Sequence, residues 1–133
     1  MTYVVVDASV IVDAVTGAPG YERTVATIAG FGVLHVPEHF HVEVLSAVRG
    51  LHRRGQITAD DARDALDLVA VLRVLRHPVL PLARGIWSLR DSLTAHDAAY
   101  LVLARELDLP ILSADRTLAA AAAAEGRAFR LDE

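Results

Sequence analysis

The class of this fold follows from residues 93–115, LTAHDAAYLVLARELDLPILSAD. The spacing predicts a helix over Ala95–Leu107, and its segment 98–104 is apolar on every side, which is typical of a helix that is buried on most faces. A short apolar strand, residues 109–112, follows almost at once. A buried helix that leads straight into a buried strand indicates an α/β fold, in which helices cover both faces of a mostly parallel sheet.

The rest of the chain alternates between strands and helices in the same manner. Short apolar runs predict strands at residues 3–6, 33–36 and 78–82, with 128–131 as a candidate last strand. Helical spacing, caps and glycine stops predict helices over residues 10–15, 22–29, 37–55 (with Pro37 in the first turn), 58–72, 83–89 and 116–125. We find no internal repeat and no linker, so we expect one domain over residues 1–133.

The amino-acid composition excludes several kinds of site and reaction. The chain has 133 residues, 53% of them hydrophobic, and a formal net charge of -4. It contains neither cysteine nor lysine, which excludes disulfides, cysteine-based zinc sites, Schiff-base chemistry and phosphate sites built on lysine. The acidic balance argues mildly against a nucleic-acid binder. No apolar run is long enough to span a membrane and the N-terminus has no basic leader, so we expect a cytoplasmic protein.

Four acidic residues fall where the predicted topology brings them to one edge of the sheet. Asp7 follows the first strand directly, and Asp115 follows the strand at residues 109–112. Asp97 lies in the first turn of the helix that leads into that strand, and Glu43 lies near the start of the helix after residues 33–36. Ligands of open parallel sheets bind outside the carboxyl ends of the strands. We therefore expect the four carboxylates to converge there.

Converging carboxylates repel one another, and a divalent cation offsets that repulsion. Oxygen ligands without cysteine favour Mg²⁺ or Mn²⁺ over zinc. Such an ion lowers the pKa of a bound water and holds a phosphodiester for attack. Each acid could also have a purely structural role. Asp7 and Asp115 are good helix N-caps, Asp97 completes a capping box with Thr94, and Glu43 suits the exposed face of an amphipathic helix.

The segments that carry these acids resemble a known family. They are YVVVDASVIVD at residues 3–13, PEHFHVEVLSAV at 37–48, the stretch 93–115 quoted above, and RTLAAAA at 116–122. In this order they are similar to a PIN-domain protein, and more narrowly to a VapC-type ribonuclease toxin of a bacterial toxin–antitoxin pair. The resemblance implies a PIN-like three-layer α/β/α fold with a short, mostly parallel central sheet covered by helices.

The same resemblance implies an activity and partners. The family members are endoribonucleases that use Mg²⁺ or Mn²⁺, and their four acids match Asp7, Glu43, Asp97 and Asp115. Family hydroxyl positions match Ser9 and Ser113, which would support the metal ligands from behind. The resemblance also implies a homodimer and a small VapB-like antitoxin. That partner would wrap an apolar groove between the early helices and send an arginine towards the acids.

Other residues are weaker candidates for the site. His39 precedes Glu43 by four residues and shares its helix face, so we expect it near the substrate; Arg90 and Asp91 could line the site or form an exposed loop pair. A zinc site from His35, His39 and His41 is disfavoured, because residues two apart on a helix point to different faces. Trp87 and Tyr100 could stack on bases of RNA, but Trp87 is expected in the core or in a dimer face, and Tyr100 in a buried helix.

Two rival functions stay open at the level of sequence. One is a metal-dependent phosphohydrolase that uses Asp7 as its nucleophile, although the haloacid-dehalogenase type needs an aspartate where Ser9 stands and a later lysine. The other is a non-catalytic binding module in which the acidic cluster holds a cation or a basic partner.

Overall fold

The computed structural model describes residues 2–129 and contains a four-stranded sheet covered by helices. In chain order the elements are β1 (Tyr3–Val6), α1 (Ala8–Thr16), α2 (Tyr21–Ala29), β2 (Val33–Pro37), α3 (Phe40–Arg53), α4 (Ala59–Val71), β3 (Val74–His77), a 3₁₀ turn (Leu80–Leu82), α5 (Ala83–Ser88), α6 (Ala95–Leu107), β4 (Ile111–Leu112) and α7 (Arg116–Ala124). None of the helices formed by the described residues is both long and apolar enough to cross a membrane.

The sheet is parallel throughout, with strand order β3-β2-β1-β4. The central strand β1 places Val5 opposite His35 of β2 and Val6 opposite Leu112 of β4. Because all four strands run in the same direction, their carboxyl ends meet at one edge. The chain leaves β1 at Asp7 at that edge, and it leaves β4 there at Ser113.

Two hydrophobic clusters flank the sheet, because successive side chains of a strand point to opposite faces. Val4 and Val6 pack in one cluster with α1, α3 and α4, where Phe40 is fully buried. Val5 packs in the other with α5, α6 and α7, where Tyr100 is fully buried. Helices on both faces of a parallel sheet make the three-layer α/β/α architecture that the sequence predicts.

Two local predictions are wrong. The third strand is β3 rather than residues 78–82, which instead form a proline-containing bend and the 3₁₀ turn. Within residues 2–129 this edge strand pairs only with β2. It is half exposed, so it lacks the continuous apolar run of a buried strand. Pro37 ends β2 opposite His77 rather than starting a helix, and α3 begins three residues later.

The last predicted strand is reduced to a single parallel bridge between Ala128 and Ile111. The rest of that prediction, residues 130–131, lies outside the described residues.

Candidate active site

The Asp7 carboxylate is buried at the end of β1 and is held by hydroxyl groups from two other segments. Ser9 Oγ and Ser113 Oγ both donate to Asp7 Oδ2, at 2.7 and 2.8 Å. The hydroxyls in turn accept from backbone amides, Ser9 Oγ from Ala114 at 3.1 Å and Ser113 Oγ from Asp115 at 3.0 Å. This network fixes the rotamer of Asp7 and joins the ends of β1 and β4, since it links residues more than a hundred positions apart.

A capping role holds for one of these two acids. Asp7 occupies the N-cap position of α1, yet among the described residues its side chain caps no backbone amide. Asp115 does cap α7, because its Oδ1 accepts from the Leu118 amide at 2.9 Å. A cap engages one carboxylate oxygen, so it leaves the second oxygen of Asp115 for another partner.

Glu43 is tied to the buried helix α6 rather than exposed on an amphipathic face. Tyr100 Oη donates to Glu43 Oε1 at 2.6 Å, and the Glu43 side chain is 23% exposed. His39 Nε2 lies 3.0 Å from the same oxygen, but its direction is poor for a hydrogen bond, so this contact is chiefly electrostatic. Tyr100 follows Asp97 by three residues on one helix face, and this spacing is the signal by which sequence analysis could have found it.

Asp97 lies in the first turn of α6 and is half-buried. Its backbone amide donates to Thr94 Oγ1 at 3.2 Å, which is half of a capping box. The reciprocal bond to the carboxylate is missing from the described residues here, whereas Thr58 and Asp61 on α4 make both bonds. The Asp97 carboxylate is therefore not engaged in capping its own helix.

The carboxylates of this cluster influence one another. Burial raises the pKa of Asp7, and the negative charges of Glu43 and Asp115 add to this effect, while the hydroxyls that donate to it oppose the rise. Burial also raises the pKa of Asp97, with further contributions from Asp115, Asp7 and Glu43. The close contact with Glu43 raises the pKa of His39. The cluster thus concentrates negative charge in a partly desolvated place, which favours a bound cation.

The side chains fit a divalent metal ion by their chemistry, although they do not form a closed cage. Within residues 2–129, no three His, Asp or Glu side chains stand close enough together to hold a metal ion as they are. Carboxylates without a counter-charge repel one another and take local hydrogen-bond donors instead. Holding an ion would require these side chains to move closer together. Carboxylate and hydroxyl oxygens are the donors that Mg²⁺ and Mn²⁺ prefer.

The remaining candidates lie around the cluster. His39 stacks edge-on against His96 and Tyr100, with ring centroids 5.4 and 5.5 Å apart. Arg90 lines a cleft together with both histidines, whereas Asp91 is exposed and makes no hydrogen bond to the four acids within the described residues. The three histidines of the zinc alternative do not come together among those residues.

Trp87 is not in the core. It is 68% exposed and carries the Arg90 guanidinium over its ring, 4.8 Å from the centroid. A position in the core is therefore wrong, and a position in a dimer face stays a prediction.

Comparison with known proteins identifies the family. Residues 4–124 match the PIN domain. Ribonuclease VapC3 of Mycobacterium tuberculosis H37Rv is 37% identical over 118 residues, which cover 89% of this chain and 86% of that protein. Ribonuclease VapC1 of the same strain is 36% identical over 118 residues, which cover 88% of this chain and 89% of that protein.

Solved structures share the fold. The crystal structure of PAE2754 from Pyrobaculum aerophilum has a TM-score of 0.65 and 23% identity, and the match covers 90% of this chain and 78% of that one. Mycobacterium tuberculosis VapC20, described as a Sarcin-Ricin loop cleaving toxin, has a TM-score of 0.62 and 19% identity over 91% of this chain and 95% of its own. Taken with the extent of the sequence matches, these findings show that the chain belongs to the PIN domain family, in its VapC group.

Proposed function

We propose that this chain is a divalent-metal-dependent endoribonuclease and the toxin of a type II toxin–antitoxin pair. The observation that carries the proposal is the buried Asp7 carboxylate, which hydroxyls from two separate segments hold beside Glu43 and Asp115 at the carboxyl edge of the sheet. Burying a carboxylate costs free energy, so the burial of Asp7 at this edge favours a role other than stability. The relatives named as VapC ribonucleases support the same activity.

In this proposal Asp7, Asp97 and Asp115 hold Mg²⁺ or Mn²⁺, and Glu43 completes the site or orients the attacking water. The ion, when bound, lowers the pKa of a water and neutralises the phosphodiester. Ser9 and Ser113 both donate to Oδ2 of Asp7 and hold its side chain in one rotamer. The other carboxylate oxygen is therefore left to bind the ion in a fixed orientation.

Side chains on α6 and at the N-cap of α3 contact Glu43 and support it. Tyr100 fixes Glu43 in the same way that the hydroxyls fix Asp7, by donating to one oxygen. The contact with Glu43 raises the pKa of His39, which favours the protonated ring, and a protonated ring would attract a nearby phosphate. Arg90, and more distantly Asp91, are proposed substrate contacts at the rim.

The surface supports a protein partner. Four large apolar side chains are at least half exposed on the adjacent helices α3 and α4: Val42, Leu45, Leu68 and Val71. Exposed apolar patches of this kind mark interaction sites. We assign this face to a small VapB-like antitoxin that blocks the site, and we propose a homodimer that acts on RNA in the cytoplasm.

RNA cleavage with and without a chelator tests the proposal. The chain is incubated with structured RNA and Mg²⁺, beside Asp7→Asn and a matched control, Asp60→Asn, whose side chain is 89% exposed on α4. We expect cleavage that EDTA abolishes, that Asp7→Asn loses and that Asp60→Asn keeps. Robust cleavage by Asp7→Asn would contradict the role of Asp7. RNA binding without any cleavage by the natural chain would favour the non-catalytic binding module.

A further inference from the structure

A cleft of about 630 Å³ opens beside the acidic cluster, and none of the four acids is among the residues that line it. His39 and His96 line it together with Trp87, Arg90 and apolar side chains such as Ile86. Its volume falls within the roughly 300–1,000 Å³ of pockets that take small ligands. The cleft is large enough to take one nucleotide of a longer chain.

The cleft is continuous with the acids. His39 lines the cleft and also touches Glu43, with 3.0 Å between Nε2 and Oε1. Thr94 lines the cleft as well, and it caps the helix that carries Asp97. Whatever occupies the cleft therefore lies next to the place where a phosphodiester has to sit, and a base attached to that phosphodiester is within reach.

Trp87 and Arg90 form a preorganised flat surface on this cleft. The indole is 68% exposed, an unusual state for the largest apolar side chain of the protein. Arg90 Nη1 donates to the Trp87 carbonyl at 3.1 Å, and the guanidinium lies 4.8 Å from the ring centroid. This contact limits the rotation of the indole while leaving much of its surface accessible.

We infer that the cleft binds an unpaired base of the RNA substrate, which stacks on Trp87 while Arg90 contacts an adjacent phosphate. The inference rests on the proposed nuclease function. Aromatic rings and arginine planes stack on the unpaired bases of RNA, and this contact tolerates many sequences. Stacking also suits a chain with a net charge of -4, because it adds affinity without many phosphate contacts.

The chain has one tryptophan, so its fluorescence reports this site directly. An unstructured oligoribonucleotide is titrated into Asp7→Asn, the cleavage-impaired chain, in the presence of Mg²⁺. We expect saturable quenching of the Trp87 emission. In parallel, labelled RNA measures affinity for Trp87→Leu, Trp87→Phe and a matched control, Tyr3→Leu, each in the same background. Tyr3 is 42% exposed at the start of β1, the opposite edge of the sheet.

Loss of the stack should weaken binding about 5- to 150-fold in Trp87→Leu, while Trp87→Phe and Tyr3→Leu stay near the parent affinity. An RNA with one abasic position should bind the parent less tightly and should lose little more in Trp87→Leu, since the base and the ring act as a pair. The inference is overturned if RNA binds without quenching, if Trp87→Leu binds like the parent, or if no RNA binds. It is also overturned if a second copy of the chain buries Trp87, seen as a concentration-dependent blue shift of the emission with dimer formation.

Failure of this inference is distinguishable from failure of the proposed function. Cleavage is measured on the natural chain with Mg²⁺ and with EDTA, apart from any stacking signal. Chelator-sensitive cleavage that Trp87→Leu leaves unchanged in KM and kcat overturns the subsite alone. Absence of cleavage by the natural chain overturns the nuclease.

Discussion

Replacing Tyr100 by phenylalanine removes one oxygen atom and, with it, the hydrogen bond to Glu43. The bond is 2.6 Å long, Tyr100 is fully buried and Glu43 is 23% exposed, so both partners are largely withdrawn from water. A hydrogen bond to a charged group contributes about 1.5–3 kcal/mol to stability. Glu43 keeps its His39 contact and some access to water, so we expect a loss of about 1–2 kcal/mol, at or below the lower end of that range.

This loss should lower Tm by roughly 3–8 °C for a domain of this size. Thermal unfolding in EDTA at neutral pH measures it, with circular dichroism to confirm the native fold. A double-mutant cycle with Glu43→Ala isolates the pair, because alanine removes the acceptor, whereas glutamine would still accept from Tyr100. We expect a coupling free energy of about 1 kcal/mol or more between the two changes. An unchanged Tm in Tyr100→Phe, or the same loss in the Glu43→Ala background, would refute the reasoning. Cleavage by Tyr100→Phe should also slow, since Glu43 is no longer held in one orientation.

Three further predictions follow from the same site and from the core. Asp97→Asn should raise Tm in EDTA at pH 8 and much less at pH 4. Burial and the neighbouring carboxylates raise the pKa of Asp97 in the folded protein, so its ionisation lowers stability as pH rises above the unfolded pKa of about 3.9, and asparagine removes that loss. An equal gain at both pH values would contradict this. Mg²⁺ should stabilise the natural chain by about 2.7 kcal/mol at a hundredfold excess over Kd, less at mildly acidic pH because protons compete, and not at all in Asp7→Asn, as thermal shifts would measure. Gly85→Ala should lower the free energy of unfolding in urea by about 1–3 kcal/mol, because the new Cβ would lie 2.8 Å from Val102 Cγ1. In the control Gly50→Ala the Cβ meets only the flexible end of the Arg54 side chain at 3.1 Å, so stability should rise by up to about 1 kcal/mol. Equal stability of the two variants would be the contrary result.

The sequence predicted the elements whose burial is written in local composition. The Val-rich run of β1 and the all-round apolar pattern of α6 predicted the observed bounds, Tyr3–Val6 and Ala95–Leu107. Both elements are buried on most sides, and an exposed strand or helix would carry polar residues at regular spacing instead. The α/β class and the mostly parallel sheet follow from short apolar strands of this kind that alternate with helices along the chain.

The edge of the sheet and the partners of the acids needed the tertiary structure. The strand β3 pairs with β2 at the edge of the sheet, and its half-exposed sequence lacks the continuous apolar run that predicts a buried strand. The sequence marks Tyr100 as part of a buried helix. It does not reveal that the hydroxyl meets Glu43, which lies 57 positions earlier in the chain.

Two segments with the same local motif show the division most clearly. Residues 58–61, TADD, and residues 94–97, TAHD, both predict a threonine cap with an aspartate three residues later. Asp61 closes its capping box on an exposed helix end, whereas Asp97 leaves its box half made beside three other carboxylates. The chain therefore determined by itself where the helices begin and that an aspartate stands in each first turn. Only the tertiary structure decided which carboxylate caps its own helix. Local geometry allows an aspartate at this position either to cap the helix or to face other groups, and long-range burial and charge decide which arrangement has the lower free energy.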